Sequence, residues 1–429
     1  PSTGSMHLGH LIPFKLTKYL QDTLNCMVVI QMSDDEKFFF KNTDDLEMFQ
    51  KFSYQNARDI IACGFDPNRT LIFSNSQSNT GDLYKNNMLL MRSMNMNLIK
   101  SVYGIGETLP GSVIQLLKDE LKKDHNDPMV INDINSTLKK FSSNHNHNPS
   151  NNLGQCVWPA FQSSPGFCTS FRQLFARAID NTLRTRHHTM SEIALANTKK
   201  CLGQLMKSDS EQSMLCLIPM AIDQAPYLRT CRDFAHILKC PKPCGIFTEF
   251  LPGLRGIGGK MSSSPGGDSE NSTIFLSMDP RVVEKMIKRH AFSGGKETLS
   301  EHQKYGGDIQ IDVCYQYLTF FLESDDELAR IAKQYTDGTM GSGQIKDLTA
   351  RLISDLIKDH QKALGQIDGS VLDQFFSWDR TLDSGGLDIG ENQIQVMQGH
   401  ESEQGDDVGQ GINFDRTFGY KCKSKEINE

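Results

Sequence analysis

Residues 1–10 read "PSTGSMHLGH", small residues followed by His7 and His10 three apart around Gly9. Side chains at i and i+3 share one face of a helix, and here that face belongs to the first turn of the helix. Downstream, "LIPFKLTKYLQDTL" (11–24) carries Ile12, Leu16, Tyr19 and Leu20 at helical spacing, and "CMVVIQM" (26–32) follows as a short apolar strand. The same order recurs: "YQNARDIIACGFDP" (54–67) predicts a helix stopping at Gly64, and "TLIFS" (70–74) a strand. "LCLIPMAID" (215–223) and "GIFTEFLPG" (245–253) predict two more strands. Strands alternating with helices imply an α/β fold with a parallel sheet. Ligands of such sheets bind beyond the carboxyl ends of the strands, where "QMSDDEK" (31–37) and "AIDQAPYLR" (221–229) bring polar residues.

The chain of 429 residues, 38% hydrophobic, is long enough for two or three domains. Two stretches interrupt the alternation and read as insertions. In the first, about 108–155, "IQLLKDELKKD" looks helical and "SSNHNHNPSNN" (142–152) is polar, a segment expected at the surface and open to proteolysis. The second, about 178–213, is basic at "RTRHH" (184–188), which suits either a solvated loop or an RNA-facing patch. From about 281 the pattern is helix after helix: "RVVEKMIKRHAF", "IDVCYQYLTFFL", "DDELARIAKQY" and "IKDLTARLISDLIKDHQKAL". The expected division is therefore an α/β domain over 1–280 and a helical domain over 281–383, the last part of which can pack back on the first. Residues 384–429, rich in Gly, Gln, Asp and Glu, read as a disordered tail.

There is no run of 18 apolar residues and no charged-then-apolar leader pattern in this sequence, so neither a membrane span nor a signal peptide is expected. Eleven cysteines without regular spacing read as reduced thiols, which suits the cytoplasm. A formal net charge of −7 gives no global basic field, so any RNA contact needs a local patch. Cys240 and Cys244 in "CPKPC", with Cys231 and His236, can be drawn as a metal cluster, but only the last two cysteines are close in sequence and no metal ligands are assigned.

A lysine and consecutive hydroxyls between glycines in "GGKMSSSPGG" (258–267) make a cationic, donor-rich loop suited to phosphates. Taken with "HLGH", and in this order on an alternating α/β pattern, it resembles the two signatures of the class I aminoacyl-tRNA synthetases. "VIQMSDDEK" (29–37), "DIIACGFDP" (59–67), "CLIPMAIDQAPYLRTCRD" (216–233), "KMSSS" (260–264), "HAFSGG" (290–295), "YLTFFLESDDEL" (317–328) and "GQIKDL" (343–348) look like the eukaryotic and archaeal type of tryptophanyl-tRNA synthetases, over most of residues 1–382.

The resemblance implies a Rossmann-like catalytic domain, an all-helical anticodon-binding domain, a homodimer, ATP with Mg2+ as cofactor, and L-tryptophan and tRNA(Trp) as partners. The implied reaction activates tryptophan as its adenylate and passes the acyl group to tRNA(Trp). By the same resemblance His7, His10, Lys260, Ser262 and Ser264 act on the phosphates. Gly9, Met261 and Ser263 then line the nucleotide, which Gly9 lets approach the backbone closely. The indole offers one N–H donor and no acceptor, so its pocket needs a buried acceptor, which Gln31 or Glu36 can supply. Gln162 and Gln224 match pocket positions for the polar end of the amino acid. Asp34 and Asp35 read instead as carboxylates capping their own helix. Lys296, Glu297 and Lys346 match anticodon contacts, although Glu297 stands where the family usually has aspartate.

A tyrosyl relative and a catalytically silent RNA- or protein-binding paralogue remain open at this point. Phosphate contacts in a helix's first turn also need a strand and turn to aim them, so a longer natural chain is expected upstream of Pro1.

Overall fold

The computed structural model describes residues 4–41, 45–78, 80–103, 152–186, 188, 190–206, 214–261, 272–380 and 382–383. Helix α1 (Leu8–Leu24) presents Leu8, Leu11, Ile12, Leu16 and Leu20 to the core, the stripe expected of a 3.6-residue repeat. Pro13 lies inside it and has no N–H for the Gly9 carbonyl, so the first turn is bonded less tightly than the rest. Asn25 ends the helix in the left-handed region, and β1 (Val28–Met32) follows.

Helices α2 (Asp34–Phe40) and α3 (Leu46–Ile61) lead through Gly64, at φ +93°, to β2 (Thr70–Ser74), whose residues are all buried. β1 and β2 pair in parallel, Gln31 opposite Phe73 and Met32 opposite Ser74. β3 (Leu217–Ala221) and β4 (Cys244–Thr248) form a second parallel pair, and β5 (Pro252–Gly253) with β6 (Gly256–Lys260) an antiparallel hairpin. The four strands anticipated from sequence are thus present, as two parallel pairs with no ladder joining them among the described residues.

Between β2 and β3 run α4 (Gly81–Ser93), α5 (Met96–Tyr103), α6 (Leu153–Ser163), α7 (Arg172–Arg186) and α8 (Glu192–Met206). Of the insertion expected at about 108–155, residues up to 151 lie outside the described residues, while Asn152 caps α6 and 153–155 form its first turn. The stretch from 178 differs from the surface insertion expected of it: Ala178 and Ile179 of α7 are buried against Leu71 and Phe73 of β2, and Ala194 and Thr198 of α8 are buried too. The basic "RTRHH" run masked this, because its charge says nothing of the apolar residues one and two turns earlier on α7.

Helix α9 (Ala225–Asp233) joins β3 to β4. After the hairpin come α10 (Pro280–His290), α11 (Leu299–Tyr305), α12 (Val313–Phe321), α13 (Asp325–Thr336), α14 (Ser342–Leu364) and α15 (Gly369–Phe376). They share one core with the α/β part, in which Leu8, Ile60 and Ile72 meet Ile287, Tyr317 and Ile353. His360 of α14 sits 2.9 Å from the Asp59 carboxylate of α3, and Arg380 donates to the Pro67 carbonyl and to that of Thr70, the first residue of β2. The expected tail from 384 onward is outside the described residues. No helix among them is long and apolar enough to cross a membrane.

Candidate active site

The first motif is joined by backbone hydrogen bonds to the segment that follows the second, some 250 residues on in sequence. Leu8 N–H donates to Ile274 O and Leu276 N–H to Met6 O, each at 2.9 Å, and His7 bridges Phe275. On the other side Met261 N–H donates to Leu251 O at 3.1 Å. A Cβ placed on Gly9 would lie 3.2 Å from the His7 ring and 3.7 Å from Leu251 Cβ. The N-terminus of α1 is therefore flanked by the segments that lead into and out of residues 262–271. Lys260 closes β6, Met261 is buried in the core, and Ser262, Ser263 and Ser264 lie outside the described residues.

His7 is buried at the N-cap of α1, and its ring stacks on His10 at 3.7 Å and 21°. His10 Nδ1 accepts the His7 backbone N–H at 3.1 Å, which places the proton of the neutral ring on Nε2. Burial, helped by the neighbouring His7 ring, holds His10 down to about 2, so this imidazole is neutral at any working pH. The arrangement offers a fixed N–H donor at the positive end of a helix without adding a full charge.

At the carboxyl end of β1, Gln31 Nε2 donates to Asn75 Oδ1 at 2.8 Å and to Phe161 O, on α6, at 3.0 Å. Asn75 Nδ2 in turn donates to both oxygens of Asp35, at 2.9 and 3.1 Å. Desolvation pushes Asp35 up to about 6 against those hydrogen bonds, with the nearby Asp34 and Glu36 carboxylates adding to the rise.

Asp34 and Asp35 depart from the capping role expected of them. Asp34 is fully buried and accepts from Ser74 Oγ at 2.6 Å and from Ser76 N–H and Oγ, tying α2 to the end of β2. Only Asp35 also takes an amide of its own helix, that of Glu36. Asn75 was missed by sequence reasoning; the available signal was its place directly after β2, where neighbouring parallel strands deliver their ligand-facing residues together.

Glu36 is half-buried, pairs with Lys37 Nζ at 3.2 Å and faces α9, where desolvation first and then its carboxylate raise the Tyr227 phenol. Tyr227 stacks on Tyr103 at 5.0 Å, and Tyr103 and Phe40 both meet Trp158 edge-on, at 6.0 and 5.5 Å. This aromatic wall was also not anticipated, since its four rings come from four helices. Trp158 Nε1 and Gln162 Oε1, one turn apart on α6, are buried with no hydrogen-bond partner among the described residues. Gln224 is half-buried just before α9, separate from the Gln31 network.

Lys296 and Glu297 are exposed in the loop after Gly294 and Gly295, and Lys346 lies in α14. A Cβ on Gly295 would overlap Ser342 Oγ at the start of α14, so these two segments are in contact. Buried Asp312 fixes the loop by accepting from Gly294 N–H at 2.8 Å and Tyr335 Oη at 2.7 Å. Among the described residues no group of three or more His, Cys, Asp or Glu is placed to hold a metal ion. Of the drawn cysteine cluster, Cys231 Sγ donates to Ser163 O and His236 Nδ1 sits 2.8 Å from Asp233 O.

Comparison with known proteins identifies the family. Residues 1–113 and 203–358 match the family described as tRNA synthetases class I (W and Y). The chain is 34% identical over 381 residues to the cytoplasmic tryptophan–tRNA ligase of Homo sapiens, covering 88% of this chain and 64% of that one. To the cytoplasmic tryptophan–tRNA ligase of Dictyostelium discoideum it is 35% identical over 377 residues, covering 88% and 75%. The chain thus spans slightly under two thirds of the length of the human relative. Among solved structures, the tryptophanyl-tRNA synthetase from Giardia lamblia superposes with a TM-score of 0.67 at 30% identity, covering 88% of this chain and 80% of that one. With the flanks of the second motif packed at the N-terminus of the helix that carries the first, and the family match spanning both segments, the chain belongs to the class I tRNA synthetases of the W and Y family.

Proposed function

We propose that the chain is a tryptophan–tRNA ligase, activating L-tryptophan with ATP and transferring it to tRNA(Trp). The observation that carries this is the junction of the α1 N-terminus with the flanks of residues 262–271, together with the end of β1, where Asn75 and Phe161 take the Gln31 Nε2 hydrogens and leave its Oε1 as an acceptor. In the first step the tryptophan carboxylate oxygen attacks the α-phosphorus of ATP. The bond from that phosphorus to the bridging oxygen breaks and pyrophosphate leaves. In the second step a ribose hydroxyl at the tRNA terminus attacks the acyl carbon and AMP leaves. The nucleophile of each step belongs to a substrate, so the protein supplies position and charge stabilisation.

In this reading the neutral His10 and its stacked neighbour His7 donate to phosphate oxygens, over which Gly9 leaves room. Lys260, Ser262, Ser263 and Ser264 clamp the departing pyrophosphate, and Met261 holds their loop to the core. Gln31 and Glu36 receive the indole end, while Gln162 and Gln224 hold the amino and carboxylate end. Magnesium arrives on the phosphates of ATP rather than on a protein cage, in keeping with the ligand chemistry of a hard cation. Lys296, Glu297 and Lys346 read the anticodon from the helical part, 281–383. The enzyme works as a homodimer in the cytoplasm.

Pyrophosphate exchange into ATP, measured with each amino acid in turn, tests the reading. Exchange that depends on tryptophan is expected. Exchange with tyrosine alone would make the chain a tyrosyl relative, and exchange with neither would make it a silent paralogue.

A further inference from the structure

A carboxamide presents two hydrogens at one end and two lone pairs at the other, and the ends are nearly equal in size. Which end of Gln31 faces a ligand is therefore decided by what holds the opposite end. Here that end is held by two acceptors, one of which is itself fixed by a third group. Burial leaves Asp35 near 6, so at neutral pH it is a carboxylate and can only accept. It takes Asn75 Nδ2 on both oxygens, which turns Asn75 Oδ1 toward Gln31. Asn75 Oδ1 and the Phe161 carbonyl, neither of which can donate, then use both hydrogens of Gln31 Nε2. No described residue donates to Gln31 Oε1. The carboxamide is pinned with its acceptor outward by groups from α2, the end of β2, and α6.

We propose that Asn75 and Asp35 are positioning residues that fix the acceptor polarity of Gln31, so that the site favours an aromatic amino acid whose ring carries an N–H donor. This inference rests on the tryptophan reading above. It assigns the selection to a relay two residues deep. With Asn75 removed, Gln31 keeps one anchor and its amide can rotate about the Phe161 contact. With Asp35 neutral, Asn75 can invert, and an inverted Asn75 would offer hydrogens to Gln31 and draw Oε1 away from the ligand. A ring without a donor gains nothing from Oε1 and leaves that acceptor unsatisfied.

The test compares tryptophan with 3-(3-benzothienyl)alanine, in which sulfur replaces the indole N–H at nearly constant shape. Pyrophosphate exchange gives kcat/KM for both amino acids in the parent enzyme, Asn75→Leu and the isosteric Asp35→Asn. The expected result is a parent preference for tryptophan that falls at least tenfold in Asn75→Leu and at least threefold in Asp35→Asn. The loss should be carried by the KM for tryptophan. A purely structural role would weaken both amino acids in parallel, and such a parallel loss, or an unchanged preference in both variants, overturns the inference alone. A parent enzyme inactive with tryptophan would overturn the functional reading and this inference with it.

Discussion

The Tyr317 hydroxyl of α12 donates to the Pro252 carbonyl at 2.9 Å, so a helix of the C-terminal part holds the first residue of the hairpin that ends in Lys260. Both groups are buried, and burial raises the Tyr317 phenol well above its ordinary range, which keeps it a donor. Removing the hydroxyl leaves a buried carbonyl without its partner, a loss of about 1–3 kcal/mol. Tyr317→Phe is therefore expected to lower the urea midpoint while leaving helical content intact. Because Pro252 pairs with Lys260, the same change should raise the KM for ATP more than that for tryptophan. Equal effects on the two substrates would mean that the bond is merely structural.

Lys260 ends β6 at the entrance to residues 262–271 and is the one lysine of the glycine- and serine-rich stretch 258–271. A preorganised cation at the departing pyrophosphate stabilises charge that grows in the transition state, an effect of roughly 10²- to 10³-fold in rate. Lys260→Ala should lose about that much in adenylate formation, measured by single-turnover quench, with tryptophan binding nearly unchanged. A rate within threefold of the parent would remove the lysine from the mechanism.

Asp35 makes a stability prediction whose sign follows from its raised value of about 6. Between about pH 4 and pH 6 the folded chain keeps a proton that the unfolded chain, at the ordinary aspartate value near 4, has released. This group thus supports folding fully at the acidic end and loses that contribution as pH rises through 6, by up to about 3 kcal/mol. Asp34 and Glu36 are the carboxylates that face it, and Asn75 and the Glu36 amide are its donors. His10 works in the opposite sense, since its depressed value makes acid destabilising below about 6.5. The difference between parent and Asp35→Asn isolates the aspartate: the variant should gain stability relative to the parent on going from pH 4.5 to pH 7.5 in urea unfolding. A difference that stays constant over that range would contradict the raised value.

Local elements were legible where periodicity and composition agree. Ile12, Leu16, Tyr19 and Leu20 mark α1, and the apolar run 26–32 marks β1, because each pattern is set by neighbours in sequence. The opening motif was legible too, since His7, Gly9 and His10 fall within one turn. The ladder from Met6 and Leu8 to Ile274 and Leu276 was not, because it pairs segments with no local sign of one another. Asp34 was misread for a related reason. A carboxylate after a strand resembles a helix cap, and only the return of β2 reveals that Ser74 and Ser76 claim it instead. The buried face of α7 was hidden by charge at its end, and the Gln31–Asn75–Asp35 relay by separations of about 40 residues.

The neutral state of His10 makes the last prediction the most specific, because it separates a donor from a cation and from a space-filling ring. Nδ1 accepts from the His7 N–H, which leaves Nε2–H as the outward group, and burial excludes a second proton down to about pH 2. A side chain that reproduces the role needs an acceptor for the His7 amide and a donor beyond it, with no charge. Asparagine meets both conditions at this position, as it does at helix caps, although its shorter reach weakens the outward contact. Phenylalanine keeps the stack on His7 and supplies neither polar group. The expected order of adenylate formation is parent, then His10→Asn at a loss of about tenfold, then His10→Phe and His10→Ala at about 10²-fold or more, the usual effect of one lost donor. The parent rate should also show no inflection assignable to His10 between pH 5.5 and 8.5. If His10→Phe proves as active as His10→Asn, the ring acts by packing against His7, and the phosphate donor of this helix turn must be sought elsewhere.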